Sequence, residues 1–323
     1  MSRFAIGVDL GGTKIEAVVM EDGVERARLR VPTPRDDYEA TLEAIVALVS
    51  QLDQRVGMRA SVGLGIPGSI EPTTGFVKNA NSVWLIGRPF RTDLERRLAR
   101  DVVVANDANC FTLSEATDGA GVGSEVVFGV ILGTGVGGGL AVGGSSLGRR
   151  VHSGANGIAG EWGHNPLPWL SVDEYPGHLC YCGRCGCIET FLSGPALSAD
   201  HQRHTGETLE AEEIVRRATK NDLDAEATLT RYEHRAARAL AAVINLLDPD
   251  VIVLGGGLSN VDRLYRNIPQ LWAEFVFACD TRAEDTAVPL TRLAVRTALR
   301  RARHGDASGV RGAAWLGALQ SAR

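Results

Sequence analysis

Four of the chain's six cysteines fall within eight positions, in Cys180-Tyr-Cys-Gly-Arg-Cys-Gly-Cys187. Thiolates this dense in one loop point to metal binding or redox chemistry rather than to packing. A second chemical feature is Asp107, which ends the strand-like run Val102-Val-Val-Ala-Asn-Asp107. A carboxylate held at a strand end can take the proton of a substrate hydroxyl, although Asn106 or Asp107 would equally cap a helix beginning there.

Three glycine-rich turns also follow apolar runs, and turns of this kind expose backbone N–H groups that cup phosphate oxygens. The first combines Gly11 and Gly12 with Asp9, Thr13 and Lys14, groups suited to a nucleotide's phosphates and their magnesium. The second, over Gly133, Thr134, Gly135 and Gly137, formally contains G-x-G-x-x-G at 133, 135 and 138. A dinucleotide site needs a helix after that motif, whereas Leu140–Val142 continues as a strand, so the turn reads as a phosphate-cupping hairpin. The third turn, at Gly256 and Gly257, closes the buried run Val251–Leu254 and offers a flat place for adenine or ribose. No G-x-x-x-x-G-K-[ST] motif occurs, which excludes the P-loop form.

Sugar hydroxyls are gripped by planar polar side chains in glycine-rich loops. The segment 156–169 supplies Asn156, Glu161, His164 and Asn165, and the segment 67–84 supplies Gly68, Asn79 and Asn81. Loop asparagines are commonly turn formers, so Glu161 and His164, three apart, carry more of the argument.

These residues need elements to hold them. Phe4–Asp9, Glu16–Met20 and Arg26–Val31 read as a strand meander, followed by a helix over 36–54 in which Leu42, Ile45, Val49 and Leu52 recur at helical spacing. Ser61–Ile66 and Val102–Ala105 are further strands, and the strand, glycine turn, strand pattern recurs at 126–142. Two hairpins of one kind suggest two related halves. A long helix over 227–247 and a final Ala-rich helix from Ser308 complete the pattern, while 281–303 reads as a surface excursion plus one strand. At 323 residues two domains are expected, because single cores rarely outgrow ~250 to 300 residues. The expected division is 1–117 with the C-terminal helix 308–323, against 118–307.

Composition narrows the function. With 44% hydrophobic and 23% charged residues, a net charge of −5 and no long apolar run, neither a membrane span nor a nucleic-acid-binding face is expected. No signal peptide is read at the N-terminus, so the expected compartment is the cytoplasm, where disulfides are disfavoured. The 38 glycines imply backbone in close approach at many points.

Taken in order, "GVDLGGTK", "VANDAN", "GTGVGGG", "AGEWGH" and "CYCGRCGCIE" closely resemble the ROK sugar kinases over nearly the whole chain. Segments such as "PTPRDDY", "KNANSVWL" and "DPDVIVLGGGLSNVDRLY" are most similar to the bacterial fructokinase or manno(fructo)kinase branch. The resemblance implies an α/β, actin-like (ribonuclease H-like) two-domain ATPase fold with an interdomain cleft and a structural zinc site. It also implies ATP-dependent phosphorylation of a hexose, fructose at its 6-hydroxyl first, with glucokinase or N-acetylhexosamine kinase activity as the alternative. Asp107 would be the base, with Asn106, Glu161, His164 and Glu189 on sugar hydroxyls, magnesium as the catalytic metal, and a homodimer as the assembly.

Spacing alone leaves the zinc ligands open among Cys180, Cys182, Cys185, Cys187, His164 and His178. The resemblance implies Cys180, Cys182, Cys187 and His164, a long-range set that would tie the sugar loop to the cysteine loop. Cys185 falls on a position that the family pattern leaves free. Two rivals are weighed against the kinase: a sugar-responsive ROK repressor, disfavoured because the first nucleotide-loop strand starts by residue 4, and a sugar-binding module or ATPase without transferase activity, against which Asp107 and both phosphate hairpins argue.

Overall fold

The computed structural model describes residues 4–144, 149–278 and 294–320. The chain begins as an antiparallel meander of β1 (Phe4–Leu10), β2 (Lys14–Glu21) and β3 (Val24–Pro32), with Asp9 opposite Glu16 across the first turn. Helix α1 (Tyr38–Val56) starts where the Asp37 carboxylate caps the Ala40 amide and stops at Gly57, φ 70°. Its Leu42, Ile45, Val49 and Leu52 pack into one core with Ile6, Val8 and Leu64. β4 (Ser61–Ile66) pairs parallel with β1; the ribbon of β5 (Ser69–Ile70) and β6 (Val77–Lys78) follows. After α2 (Phe90–Leu98), β7 (Val102–Asn106) pairs parallel with β4 and runs straight into α3 (Asp107–Thr117).

The second sheet contains β8 (Val126–Leu132), β9 (Val136–Val142), β10 (Arg150–Val151), β11 (Val251–Gly255) and β12 (Ala298–Arg301). Sheet orders are β3-β2-β1-β4-β7 and β10-β9-β8-β11-β12. Renumbered within its own sheet each reads 3-2-1-4-5, so the second half repeats the connectivity of the first. Between β10 and β11 the chain inserts the cysteine loop and the helices α4 (Glu189–Leu192), α5 (Gly194–Thr205), α6 (Ala211–Ala218) and α7 (Leu223–Leu247). Helix α8 (Arg263–Trp272) precedes β12, and α9 (Ser308–Gln320) ends the described chain. Of the segment 281–303, residues up to 293 lie outside the described residues, and β12 is its strand.

Two compact units divide the described residues. One comprises the chain up to 129, residues 138–160 and the chain from 302, and the other comprises 130–137 and 161–301, so that β8 and β9 pass through both. In the first unit α9 lies backbone-close on the sheet and on α3. A Cβ on Gly7 or Gly63 would overlap the Val310 or Ala313 carbonyl of α9, and one on Gly312 would overlap the Cys110 carbonyl of α3. Part of the glycine excess is therefore helix-on-sheet packing rather than ligand approach. The buried Glu115 of α3 holds the returning chain, accepting from the Arg303 amide at 2.9 Å, the His304 amide at 3.1 Å and the Ser308 hydroxyl at 2.7 Å. No helix among the described residues is long and apolar enough to cross a membrane.

Candidate active site

The turn between β1 and β2 has its carbonyls engaged by protein donors. Thr33 donates its hydroxyl to the Gly11 carbonyl at 2.7 Å, Arg35 Nε donates to that of Gly12 at 2.8 Å, and the Gly11 amide donates to Lys14 at 3.0 Å. Gly12, Thr13 and Lys14 remain exposed, with the Lys14 ammonium 3.4 Å from Glu16. Asp9 sits at the base of this turn, where a Cβ on Gly309 would lie 2.9 Å from its carboxylate. Burial raises its pKa to about 7, the carboxylates of Asp107 and Glu16 add to the rise, and Lys14 opposes it. Two acids in one field ask for a proton or a hard cation between them.

Asp107 is exposed at the first position of α3. The capping role and the positioning role coincide here. Asn106 Oδ1 accepts from the Ala108 amide at 2.9 Å while its Nδ2 donates to the Gly68 carbonyl at 3.2 Å, so one carboxamide starts the helix and ties the Gly68 loop beside it. Asp107 Oδ1 accepts from the same amide at 2.8 Å. Gly68, at φ 127°, has room for no side chain, because a Cβ would sit 2.7 Å from the Lys78 carbonyl. That approach positions the segment leading to the exposed Asn81. Asn79 at φ 55° is a left-handed turn former, and Asn156 offers its backbone carbonyl to Lys78 Nζ at 2.8 Å.

In the second unit the Gly133–Gly135 turn is closed by its own 3.0 Å hydrogen bond and receives the Gly194 amide on the Gly133 carbonyl at 2.8 Å. Thr134 is exposed at its tip. Gly256, at φ 79°, lies so close to the end of β8 that a Cβ would overlap the Leu132 carbonyl. The second and third glycine turns are thereby brought side by side, with Gly257 opening the next helical turn. The indole of Trp162 donates to the Gly137 carbonyl at 3.1 Å, which lays the 161–164 segment on the hairpin. Glu189 begins α4 and its Oε2 accepts from the Val136 amide at 2.9 Å, linking the hairpin to the cysteine loop. Burial raises the pKa of the half-buried Glu161; His164 lowers it and Glu189 raises it.

His164, Cys180, Cys182 and Cys187 come together with their ligand atoms all within 4.8 Å of one another. Cys180 Sγ lies 3.6 Å from His164 Nδ1, and Cys182 Sγ lies 3.6 Å from Cys187 Sγ. A tetrahedron with Zn–S near ~2.3 Å and Zn–N near ~2.05 Å has edges of about 3.5 to 3.8 Å, so the donor set and both distances fit zinc. Neither Cys185 nor His178 belongs to this group: Cys185 pairs through its backbone with Leu179 and is exposed, while the His178 ring rests on Phe191. Backbone hydrogen bonds from Leu167 to Gly186 and from Ile188 to Asn165, both 2.9 Å, already join the two loops. Tyr181, which motif reading passed over, holds the other face of the histidine, its hydroxyl 3.0 Å from His164 Nε2. Its position between two ligand cysteines was the only hint in the sequence.

The sequence profile of the ROK family matches residues 5–319. The chain belongs to the ROK family. An N-acetyl-D-glucosamine kinase of Pectobacterium atrosepticum is 41% identical over 315 residues, spanning 96% of this chain and 97% of that protein. Among solved structures, a ROK hexokinase from Thermus thermophilus superposes with a TM-score of 0.82 at 31% identity, covering 99% of each chain. A ROK glucokinase from Streptomyces griseus, in complex with glucose and AMPPNP, gives 0.72 at 29% identity over 98% of this chain and 99% of its own. The architecture is thus the actin-like α/β fold of ROK sugar kinases. These relatives carry the names N-acetyl-D-glucosamine kinase, hexokinase and glucokinase, which favours the expected alternative over the fructokinase branch suggested by segments such as "PTPRDDY" and "KNANSVWL".

Proposed function

We propose that the protein is an ATP-dependent kinase of N-acetylglucosamine, forming the 6-phosphate. The observation that carries this reading is the 41% identity, across 96% of the chain, with the Pectobacterium atrosepticum N-acetyl-D-glucosamine kinase. Asp107 takes the proton of the attacking hydroxyl as its oxygen bonds to the γ-phosphorus and the bridge to the β-phosphate breaks. Gly68, Asn81, Asn106, Glu161, His164 and Glu189 are assigned to the sugar. Amides of Gly11, Gly12, Thr13 and Lys14, and of Gly133, Thr134, Gly135 and Gly137, are assigned to the phosphates, with Gly256 and Gly257 beside the nucleoside. Asp9 is the residue we assign to magnesium, which supplies charge neutralisation for the transferring phosphoryl group. His164, Cys180, Cys182 and Cys187 form a closed set of four donors, which suits a structural zinc and leaves no open position for chemistry.

The deciding experiment is kcat/KM over N-acetylglucosamine, glucose, mannose and fructose with ATP. N-acetylglucosamine should lead by at least about tenfold, the scale of discrimination that one added group in a pocket affords. Fructose in first place would overturn the proposal. In the same assay Asp107→Asn should lower kcat by about 10²- to 10⁴-fold while sugar binding persists.

A further inference from the structure

The second unit encloses a cavity of 620 Å³ that contains none of the residues assigned above to ATP, sugar or zinc. Its size falls in the range of small-molecule sites, roughly 300 to 1,000 Å³. Four arginines and three histidines line it against three carboxylates, an excess of one fixed positive charge (4 − 3) before any histidine is protonated. Asp200, buried in α5, gathers three of the guanidiniums: Arg231 Nε and Arg235 Nη1 each at 2.8 Å and Arg203 Nη2 at 3.3 Å. One carboxylate offers about four acceptor sites, whereas three guanidiniums carry roughly fifteen N–H donors, so the pairing positions these cations without exhausting them. Arg235 and Arg238 also share Glu174, at 2.8 and 2.7 Å, and both are buried, whereas Arg203 and Arg231 are partly exposed.

Aromatic rings line the same cavity. The rings of Trp169 and Phe275 lie 5.3 Å apart, and His234 meets Phe275 edge-on at 6.1 Å. A pocket lined both by converging guanidiniums and by flat rings matches a ligand with an anionic, multi-oxygen head and a ring body. We propose that this cavity binds a phosphomonoester carried on a sugar ring, at a site distinct from the one that transfers phosphate. A phosphomonoester brings three acceptor oxygens to the guanidinium N–H groups that Asp200 and Glu174 leave unused, against a carboxylate's two. Trp169, Glu174 and His178 belong to the same loop that runs from His164 to the ligand cysteines, so a ligand seated here bears directly on the loop that carries the donor cluster.

Calorimetry on the intact protein saturated with AMPPNP and N-acetylglucosamine tests the site, using glucose 6-phosphate, N-acetylglucosamine 6-phosphate and inorganic phosphate as probes. Sugar phosphates should bind saturably in the wild type and in Asp107→Asn, and at least tenfold more weakly in Arg203→Ser and in His234→Ala. Both variants change partly exposed side chains, and circular dichroism would verify that they fold. Absence of sugar-phosphate binding, or binding unaltered by Arg203→Ser and lost in Asp107→Asn, would overturn the proposal. Inorganic phosphate binding as tightly as the sugar phosphates would overturn the ring-binding half of it. Because the readout is binding rather than turnover, a wrong hexose assignment would not mimic either result.

Discussion

Asp9 holds its proton to about pH 7 in the ligand-free protein, chiefly because burial disfavours its charged form. The folded pKa is above the unfolded one, so the contribution of the protonated group to stability is full below about pH 4 and is lost as pH rises toward 7. Asp9→Asn removes the buried charge. Without magnesium and nucleotide it should therefore be more stable than wild type at pH 8, by about 1 to 3 kcal/mol, and no more stable at pH 4. Denaturant unfolding at the two pH values reads this directly; a gain of equal size at both would refute the charge explanation. That an aspartate would stand before the first glycine turn was legible in "DLGGTK". Its shifted pKa was not, because Asp107 is 98 positions away in sequence and supplies part of the field.

Glycine has two separable uses among the elements. Gly63 lies inside β4 under the α9 backbone, whereas Gly12 stands in the first turn with nothing within 4 Å of an added Cβ. Gly63→Ala should cost about 2 to 3 kcal/mol of stability through overpacking, while Gly12→Ala should stay within about 0.5 kcal/mol yet raise the KM for ATP. Equal stability losses in thermal unfolding would show that the two are not distinct. Strand-like segments such as 61–66 and 126–132 were readable to the residue, because both are apolar, β-branched and closed by turn residues. Helix α2 was overlooked. Only Phe90, Leu94 and Leu98 mark its inner face, and the arginines between them mask that spacing.

At the scale of the molecule, residues distant in sequence close structures that no local segment could complete. Glu115 receives the chain again at 303–308, which makes the first unit discontinuous. His164 reaches the cysteines across a loop that no local spacing rule connects, and with zinc apparent affinity on the order of 10 kcal/mol or more, the metal would dominate the order of that loop. Wild type and Cys185→Ser should each retain one zinc per chain by metal analysis. Cys182→Ser should lose it, with a lower Tm. Zinc loss in Cys185→Ser would instead favour a purely local set of four cysteines.

The sequence by itself determined the chemistry available: phosphate-cupping glycine turns, a strand-end aspartate and a cysteine run, each carried by contiguous residues whose types and spacing suffice. Only the tertiary structure decided which cysteines join His164, which glycines serve helix packing, and how the arginines of α5 and α7 converge on Asp200. Those outcomes depend on distances between segments, and distance in space is set by how whole elements pack.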